Sequence, residues 1–287
     1  MSLRWVLWLS ARDRQTNQES SPKGQVILYK VLVRVLNETA LVARGLKYVE
    51  RLFRLFSTID GLWRFRAIFA PIVCLKHPGS EPMVENCIRQ RLGAGWTFLD
   101  VGANLGFYSA LSSMLVGRSG RVIALEPSPK ESLFLSYACR TLGLENVLTV
   151  RVAAYSRNLK SELFLSEEEG RHSLISPRKR SVKVTCRTLD SLVASFGINK
   201  NLFLKIDVEG AEHEVLRGSQ DILSNVRPLR LIVELHSETQ SSRVCELLHE
   251  KGLCVEFLDK NHIYSESLEN VDGDLLTSLQ TSECVLG

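Results

Sequence analysis

Several acidic side chains stand at the ends of apolar runs, and their positions outline a site before any fold is assigned. Phe98-Leu99-Asp100-Val101-Gly102-Ala103-Asn104-Leu105-Gly106 is an apolar strand that ends in an acid and breaks into a glycine-bearing turn ahead of a helical segment. Ligands bind at such strand ends in α/β sheets. Gly102 lets backbone approach a ligand, Gly106 lets the helix pack close to the strand, and Asn104 tolerates the left-handed conformation of a tight turn. The G-x-x-x-G spacing is not the dinucleotide fingerprint G-x-G-x-x-G. It is not a P-loop either, because Phe107 follows Gly106 where that loop needs a lysine. Asp100 would repel a pyrophosphate and suits a ligand that carries an ammonium group.

The next apolar run ends at Glu126, followed by Pro127. A carboxylate there can accept both hydroxyls of a ribose, as the equivalent acid does in nucleotide-binding folds; alone it would be an ordinary strand-end acid. The glycine turn and the two acids together point to an adenosyl amino acid. A third run, Leu202 to Asp207, continues into Glu209, Gly210, Ala211 and Glu212. Asp207 and Glu209 could orient a substrate hydroxyl, act as general base or ligate a cation, or simply decorate a helix N-terminus whose dipole prefers acids. A later run ends Ile232-Val233-Glu234-Leu235-His236, which puts Glu234 and His236 on one side by the two-residue period of a strand. His236, with an ordinary pKa near ~6.5, suits proton abstraction at neutral pH. Asp207, Glu234 and His236 also form a set that could hold a divalent cation such as magnesium.

The elements that must position these residues alternate in type. Short apolar runs at 96–101, 121–126, 147–152, 202–207, 229–235 and 253–258 are separated by helical patterns at 107–116, 130–142, 211–224 and 241–251. This is the pattern of a doubly wound, mostly parallel α/β sheet with right-handed crossovers. Residues 160–187 interrupt it with two strand-like pieces around a charged stretch, which reads as an inserted hairpin and a candidate substrate-selecting flap.

The 287 residues are 45% hydrophobic and 24% charged, enough for a sizeable core and unlike a disordered or collagenous chain. Seven scattered cysteines with no C-x-x-C exclude a zinc ribbon and read as buried hydrophobes in a reducing compartment, the cytoplasm by default. No apolar stretch reaches the ~18 residues of a membrane span, and the short Leu3 to Leu9 run lacks the flanks of a signal peptide. The net charge of +4 is uneven. Residues 1–77 hold 13 Lys/Arg against 5 Asp/Glu, a basic helical arm on an acidic domain spanning 78–287. The arm is either a cap on the core or an amphipathic surface for anionic lipid, which would set the enzyme at the inner face of a membrane. Nothing in it accompanies the charge with a nucleic-acid motif.

Asp100-Val101-Gly102-Ala103-Asn104-Leu105-Gly106, Glu126-Pro127, Thr188-Leu189-Asp190 and Lys205-Ile206-Asp207-Val208-Glu209-Gly210-Ala211-Glu212 together resemble the FkbM-type methyltransferases, of the class I group dependent on S-adenosylmethionine. The resemblance covers roughly residues 80–260. It implies a seven-stranded sheet with one antiparallel strand, near Asn261 to Tyr264, and O-methylation of a hydroxyl on a small molecule or saccharide. Asp100, Gly102, Ala103, Asn104 and Gly106, with Tyr108 on the following helix, would hold the amino-acid part of the cofactor. Glu126 and Pro127 would take its ribose, and backbone around Ala153 its adenine. Asp207 or His236 would be the base, with Glu209 and Glu234 orienting the acceptor or a cation. An oxidoreductase on the same sheet would need the dinucleotide fingerprint. A non-catalytic membrane-surface scaffold would not need acids at every strand end.

Overall fold

A computed structural model of the chain describes residues 81–166 and 171–267; the basic arm expected over 1–77 lies outside them. In chain order the elements are α1 (Pro82–Arg91), β1 (Thr97–Val101), α2 (Phe107–Val116), β2 (Arg121–Leu125), α3 (Pro129–Thr141), β3 (Val147–Val150), β4 (Ala153–Ala154), β5 (Leu159–Phe164) and β6 (Ser181–Arg187). They continue with α4 (Leu189–Ser195), β7 (Leu202–Ile206), α5 (Glu212–Arg217), α6 (Gln220–Asn225), β8 (Leu229–Glu234), α7 (Glu238–Glu250), β9 (Leu253–Phe257) and β10 (His262–Ser267).

Seven strands form one sheet in the order β3-β2-β1-β7-β8-β10-β9. β1 lies between β2 and β7, parallel to both. Every residue of β1 and β7 is buried, because helices cover both faces of a parallel sheet and leave no polar side to alternate with. β10 runs antiparallel between β8 and β9. It is the antiparallel strand expected near residues 261–264, three residues longer at its far end.

The crossovers fall where the apolar periodicity puts them, with two differences. The helical pattern over 211–224 is two short helices, α5 and α6, broken at Gly218-Ser219. A Cβ at Gly218 would lie 2.2 Å from the carbonyl oxygen of Tyr155, so that turn packs directly on backbone. The Thr188-Leu189-Asp190 string opens α4, whose first turn is capped by the Thr188 hydroxyl accepting the Ser191 N–H. The inserted hairpin is present as β5 and β6, paired antiparallel, and β4 joins β6 to make a second, three-stranded sheet.

Strand order reverses direction of travel between β1 and β7, which opens a crevice beyond their carboxyl ends. Asp100, Glu126, Asp207 and Glu234 sit at or next to the carboxyl ends of β1, β2, β7 and β8. Cys87, Cys139 and Cys186 are buried free thiols, as the apolar flanks suggest; Cys245 and Cys254 are partly exposed. No helix among the described residues is long and apolar enough to cross a membrane.

Candidate active site

The turn after β1 is built by a network that spans two strands. Gly102 and Ala103 donate their N–H groups to the carbonyl of Leu125, each at 3.0 Å, and the Asp207 N–H reaches the carbonyl of Val101. Gly102 has φ +83° and Asn104 φ +49°. Glu126 holds the turn from the neighbouring strand: its two carboxylate oxygens accept the N–H of Asn104 (2.8 Å) and of Ser128 (2.9 Å). Burial pushes the Glu126 carboxyl up to about 7 against the pull of those amides.

A cleft opens over this turn, lined among others by Gly102, Asn104, Glu126, Pro127, Ala153, Asp207 and Glu209. The inserted hairpin forms its far wall through Leu163, His172 and Leu174. Ser173 ties this wall to the second acidic loop by donating its hydroxyl to the carbonyl of Glu209 at 2.8 Å. Glu131, also in the lining, is held down to about 2: burial opposes its charge, but His172, 3.5 Å away, and the Ser128 hydroxyl outweigh it.

The loop after β7 is strained and over-determined. Glu209 has φ +52°, a conformation non-glycine residues seldom adopt. It is fixed on each side, by Ser173 on its carbonyl and by Gly210, whose N–H donates to Glu212 Oε1 at 2.9 Å and whose carbonyl accepts from the Gln240 amide. Strain held by so many contacts is characteristic of sites with a function. Glu212, fully buried, also bonds His236 Nδ1 at 2.9 Å. His236 Nε2 then faces Glu209 at 3.4 Å and Glu234 at 3.7 Å.

Behind this loop lies Lys205, only 3% exposed, whose ammonium contacts Asp207 Oδ2 at 3.0 Å and sits 4.8 Å from the Tyr108 ring centroid. Burial opposes the Asp207 charge, but the Lys205 ammonium outweighs it and holds the carboxyl below the usual range. Asp100 is buried too. One of its oxygens accepts the Ser109 hydroxyl at 2.6 Å and the other has no partner.

The structure therefore gathers the expected residues in part. Gly102, Asn104, Glu126, Pro127 and Ala153 share the cleft with Asp207 and Glu209. Asp100, Ala103, Gly106 and Tyr108 do not line it. Gly106 serves packing instead, since a Cβ there would meet Leu135 at 2.3 Å. Tyr108 turns away to donate its hydroxyl to Glu81 at 2.6 Å. His236 differs from the expected neutral-pH base. Burial opposes its charge, but Glu212, Glu234 and Glu209 raise it to about 9, so at neutral pH it is an imidazolium. The expected cation set of Asp207, Glu234 and His236 is also regrouped, with Asp207, Glu209 and His236 in one cluster and Glu234 with Glu81 and His262 in another. In the first cluster the Lys205 ammonium already compensates Asp207, which does not fit a divalent ion there. Sequence reasoning missed Lys205 and Glu212 as site residues, although both stand in the most distinctive string; an interior strand lysine next to an acid is the signal that could have found the first.

Gly102→Ala tests the turn. The new Cβ would lie 1.8 Å from the Asp207 carbonyl oxygen, at a φ that favours glycine. A backbone atom cannot rotate away, so the strain adds to the clash for about 2–4 kcal/mol of destabilisation, read as a lower urea midpoint at unchanged slope.

A seven-stranded, mostly parallel sheet with a single antiparallel strand near its end and an acid-tipped cleft at the switch point defines a class I methyltransferase fold. The chain belongs to the FkbM methyltransferase family: residues 100–253 match the Methyltransferase FkbM domain. It is 29% identical over 163 residues to the hexuronic acid methyltransferase AglP of Haloferax volcanii, a match covering 56% of this chain and 65% of that protein, just under two thirds of the relative's length. Among solved structures it is similar to the FkbM methyltransferase of Methylobacillus flagellatus, with TM-score 0.47, 14% identity, 79% of this chain and 60% of the other covered. It is also similar to Aeropyrum pernix fibrillarin bound to S-adenosyl-L-methionine, with TM-score 0.42, 13% identity, and 65% and 74% covered.

Proposed function

We propose that the protein is an O-methyltransferase that acts on a hydroxyl of a saccharide acceptor, with the hexuronic acid chemistry of its archaeal relative as the guide to acceptor class. The observation that carries the reading is Glu209, a partly exposed carboxylate held in a strained loop on the wall of the cleft, in a segment that packs against the glycine turn.

The cleft residues fit the cofactor on one specific point: Asn104 lines the cleft and its buried Oδ1 has no hydrogen-bond partner, an acceptor suited to the ammonium of an amino acid. Glu126 would accept the ribose hydroxyls with the lone pairs its two backbone donors leave free. Backbone at Ala153 would lie along the adenine. S-adenosylmethionine, when bound, supplies an electrophilic methyl group on a sulfonium. The remaining work is the protein's: Glu209 orients the acceptor hydroxyl and takes its proton, and the His236 imidazolium, anchored by Glu212, holds the Glu209 carboxylate in place. Asp207, paired with Lys205, is too weak a base for this and acts through the charge balance of the loop.

A hexuronic acid offers a carboxylate oxygen as well as hydroxyls. The lining carries four carboxylates, at Glu126, Glu131, Asp207 and Glu209, against one histidine, so an anionic reacting group is repelled where a neutral hydroxyl is not. The oxidoreductase alternative finds no support in the family match.

Calorimetric titration with S-adenosylmethionine across pH tests the cofactor assignment. Only ionised Glu126 accepts both ribose hydroxyls, and its carboxyl titrates at about 7. Affinity is expected to fall about tenfold between pH 8 and pH 6, and to be weaker but flat in Glu126→Gln. A wild-type affinity that does not change over this range, or binding of NAD in its place, contradicts the assignment.

A further inference from the structure

Away from the cleft, on the α1 side of Glu234, two carboxylates converge on a buried histidine. His262 opens β10 and pairs directly with Glu234 of β8. Its ring is 5% exposed as a residue, and its Nδ1 bonds Asp259 at 2.9 Å. Asp259 is itself fixed by the backbone N–H groups of Asn261 and His262 at 2.8 and 3.0 Å. The carboxylate on Nδ1 fixes the hydrogen there and orients the ring. Burial opposes the charge, but Glu234 and Asp259 outweigh it and raise the imidazole above its ordinary value, so a ligand at Nε2 would displace a proton. That Nε2 is buried and has no hydrogen-bond partner. It points into a gap bounded by Glu234 Oε2 at 3.8 Å and Glu81 Oε2 at 3.9 Å, both too long for hydrogen bonds.

We propose that Glu81, Glu234 and His262 form a binding site for a first-row divalent transition-metal ion, zinc in the first instance. Four features of the cluster fit this. Its ligand atoms all lie within 4.8 Å of one another. An ion about 2.0–2.2 Å from each of two ligand atoms spans roughly 3.4 Å at a tetrahedral angle, so the 3.8 and 3.9 Å gaps to His262 Nε2 close with about half an ångström of contraction. One imidazole with two carboxylates selects zinc, manganese or iron over magnesium or calcium, which prefer oxygen alone. Finally, outer groups already orient the ligands: Asp259 stands behind the imidazole, in the carboxylate–histidine–metal arrangement, and the Tyr108 hydroxyl bonds Glu81 Oε2 at 2.6 Å.

The ion would join three segments that are far apart in the chain: the residue that leads into α1, the end of β8 and the start of β10. Glu234 would bind it through Oε2 while Oε1 faces His236, so occupancy fixes the carboxylate that also borders the candidate active site. The site is separate from the methyl-transfer reading and stands if that reading fails.

Zinc titration of the metal-stripped full-length protein by calorimetry, with cobalt as an absorption probe, tests the proposal. Wild type is expected to bind one zinc ion, to show ligand-field bands with cobalt, and to melt at higher temperature with zinc. His262→Ala and Glu81→Gln are each expected to weaken binding about a hundredfold or more and to lose the thermal shift. Asp259→Asn weakens it roughly ten- to a hundredfold. His236→Ala retains it. Circular dichroism checks that each variant folds, and if His262→Ala does not, Glu81→Gln decides, because its side chain is 29% exposed and is not part of the core. Absence of zinc binding in wild type, unchanged affinity in Glu81→Gln, or binding lost in His236→Ala and kept in His262→Ala overturns the proposal.

Discussion

Glu209→Gln is expected to lower methyl transfer by about 10²–10⁴-fold, with affinity for S-adenosylmethionine unchanged. The change keeps the size of the side chain and its place in the strained loop, and the anchors on either side of Glu209 are backbone groups of residues 209 and 210, which the substitution leaves alone. What it removes is the one group on the cleft wall placed to take a proton with an imidazolium 3.4 Å behind it. The size of the loss also reports on the acceptor. A hydroxyl must give up its proton and suffers the full effect, whereas a carboxylate acceptor is already ionised and would show a loss of only a few-fold. Parallel kinetics on Glu212→Gln separate proton transfer from positioning. Glu212 touches His236 and not the cleft, so its loss is expected to move the pH dependence and the maximal rate together while leaving cofactor affinity in place.

Lys205→Met is expected to cost about 3–5 kcal/mol of stability, the range for removing one partner of a buried ion pair. The side chain is 3% exposed and its ammonium contacts the Asp207 carboxylate at 3.0 Å, with Asp100, 1% exposed, adding a smaller attraction. Methionine fills a similar volume, so the loss is electrostatic rather than a cavity. The sign of its pH dependence follows from the pair. Lys205 holds the Asp207 carboxyl below its ordinary range, so its stabilising contribution is present above the unfolded carboxyl value and is lost as pH falls through the folded one. The deficit of the variant is therefore largest at neutral pH and shrinks in acid, where wild type loses the same pair. Denaturant melts of Lys205→Met and of the Lys205→Met/Asp207→Asn double variant at two pH values measure this; the double variant should recover part of the loss. A single variant as stable as wild type at neutral pH contradicts the role given to the pair.

Much of this was legible in the sequence because the sheet is parallel. Strands buried on both faces are continuous apolar runs with sharp ends, and the acids just beyond β2 and β7, Glu126 and Asp207, mark the cleft by position alone. Contacts between elements were not legible. The helical period runs on through Gly218, where the chain ends α5 and packs its backbone on the carbonyl of Tyr155, a contact between distant segments. His236 could be paired with Glu234 from strand period, but its charge at neutral pH depends on Glu212 and Glu209, which reach it from another loop. Asp100 sits at a strand end like Glu126, yet it faces Ser109 under the helix rather than the cleft. Side-chain direction at the last strand residue is set by packing that spacing does not encode. The cluster at His262 draws on residues 81, 234, 259 and 262, a combination no linear motif contains.

The reaction proposed for the protein is transfer of a methyl group from S-adenosylmethionine to a saccharide hydroxyl. The most direct measurement incubates the protein with methyl-labelled S-adenosylmethionine and a panel of hexuronic-acid-containing and neutral glycans, then treats the labelled product with mild base. Label that enters a glycan and survives base as an ether, in wild type and not in Glu209→Gln, is the predicted result. Label that enters no saccharide, or that base releases as methanol from an ester, contradicts it.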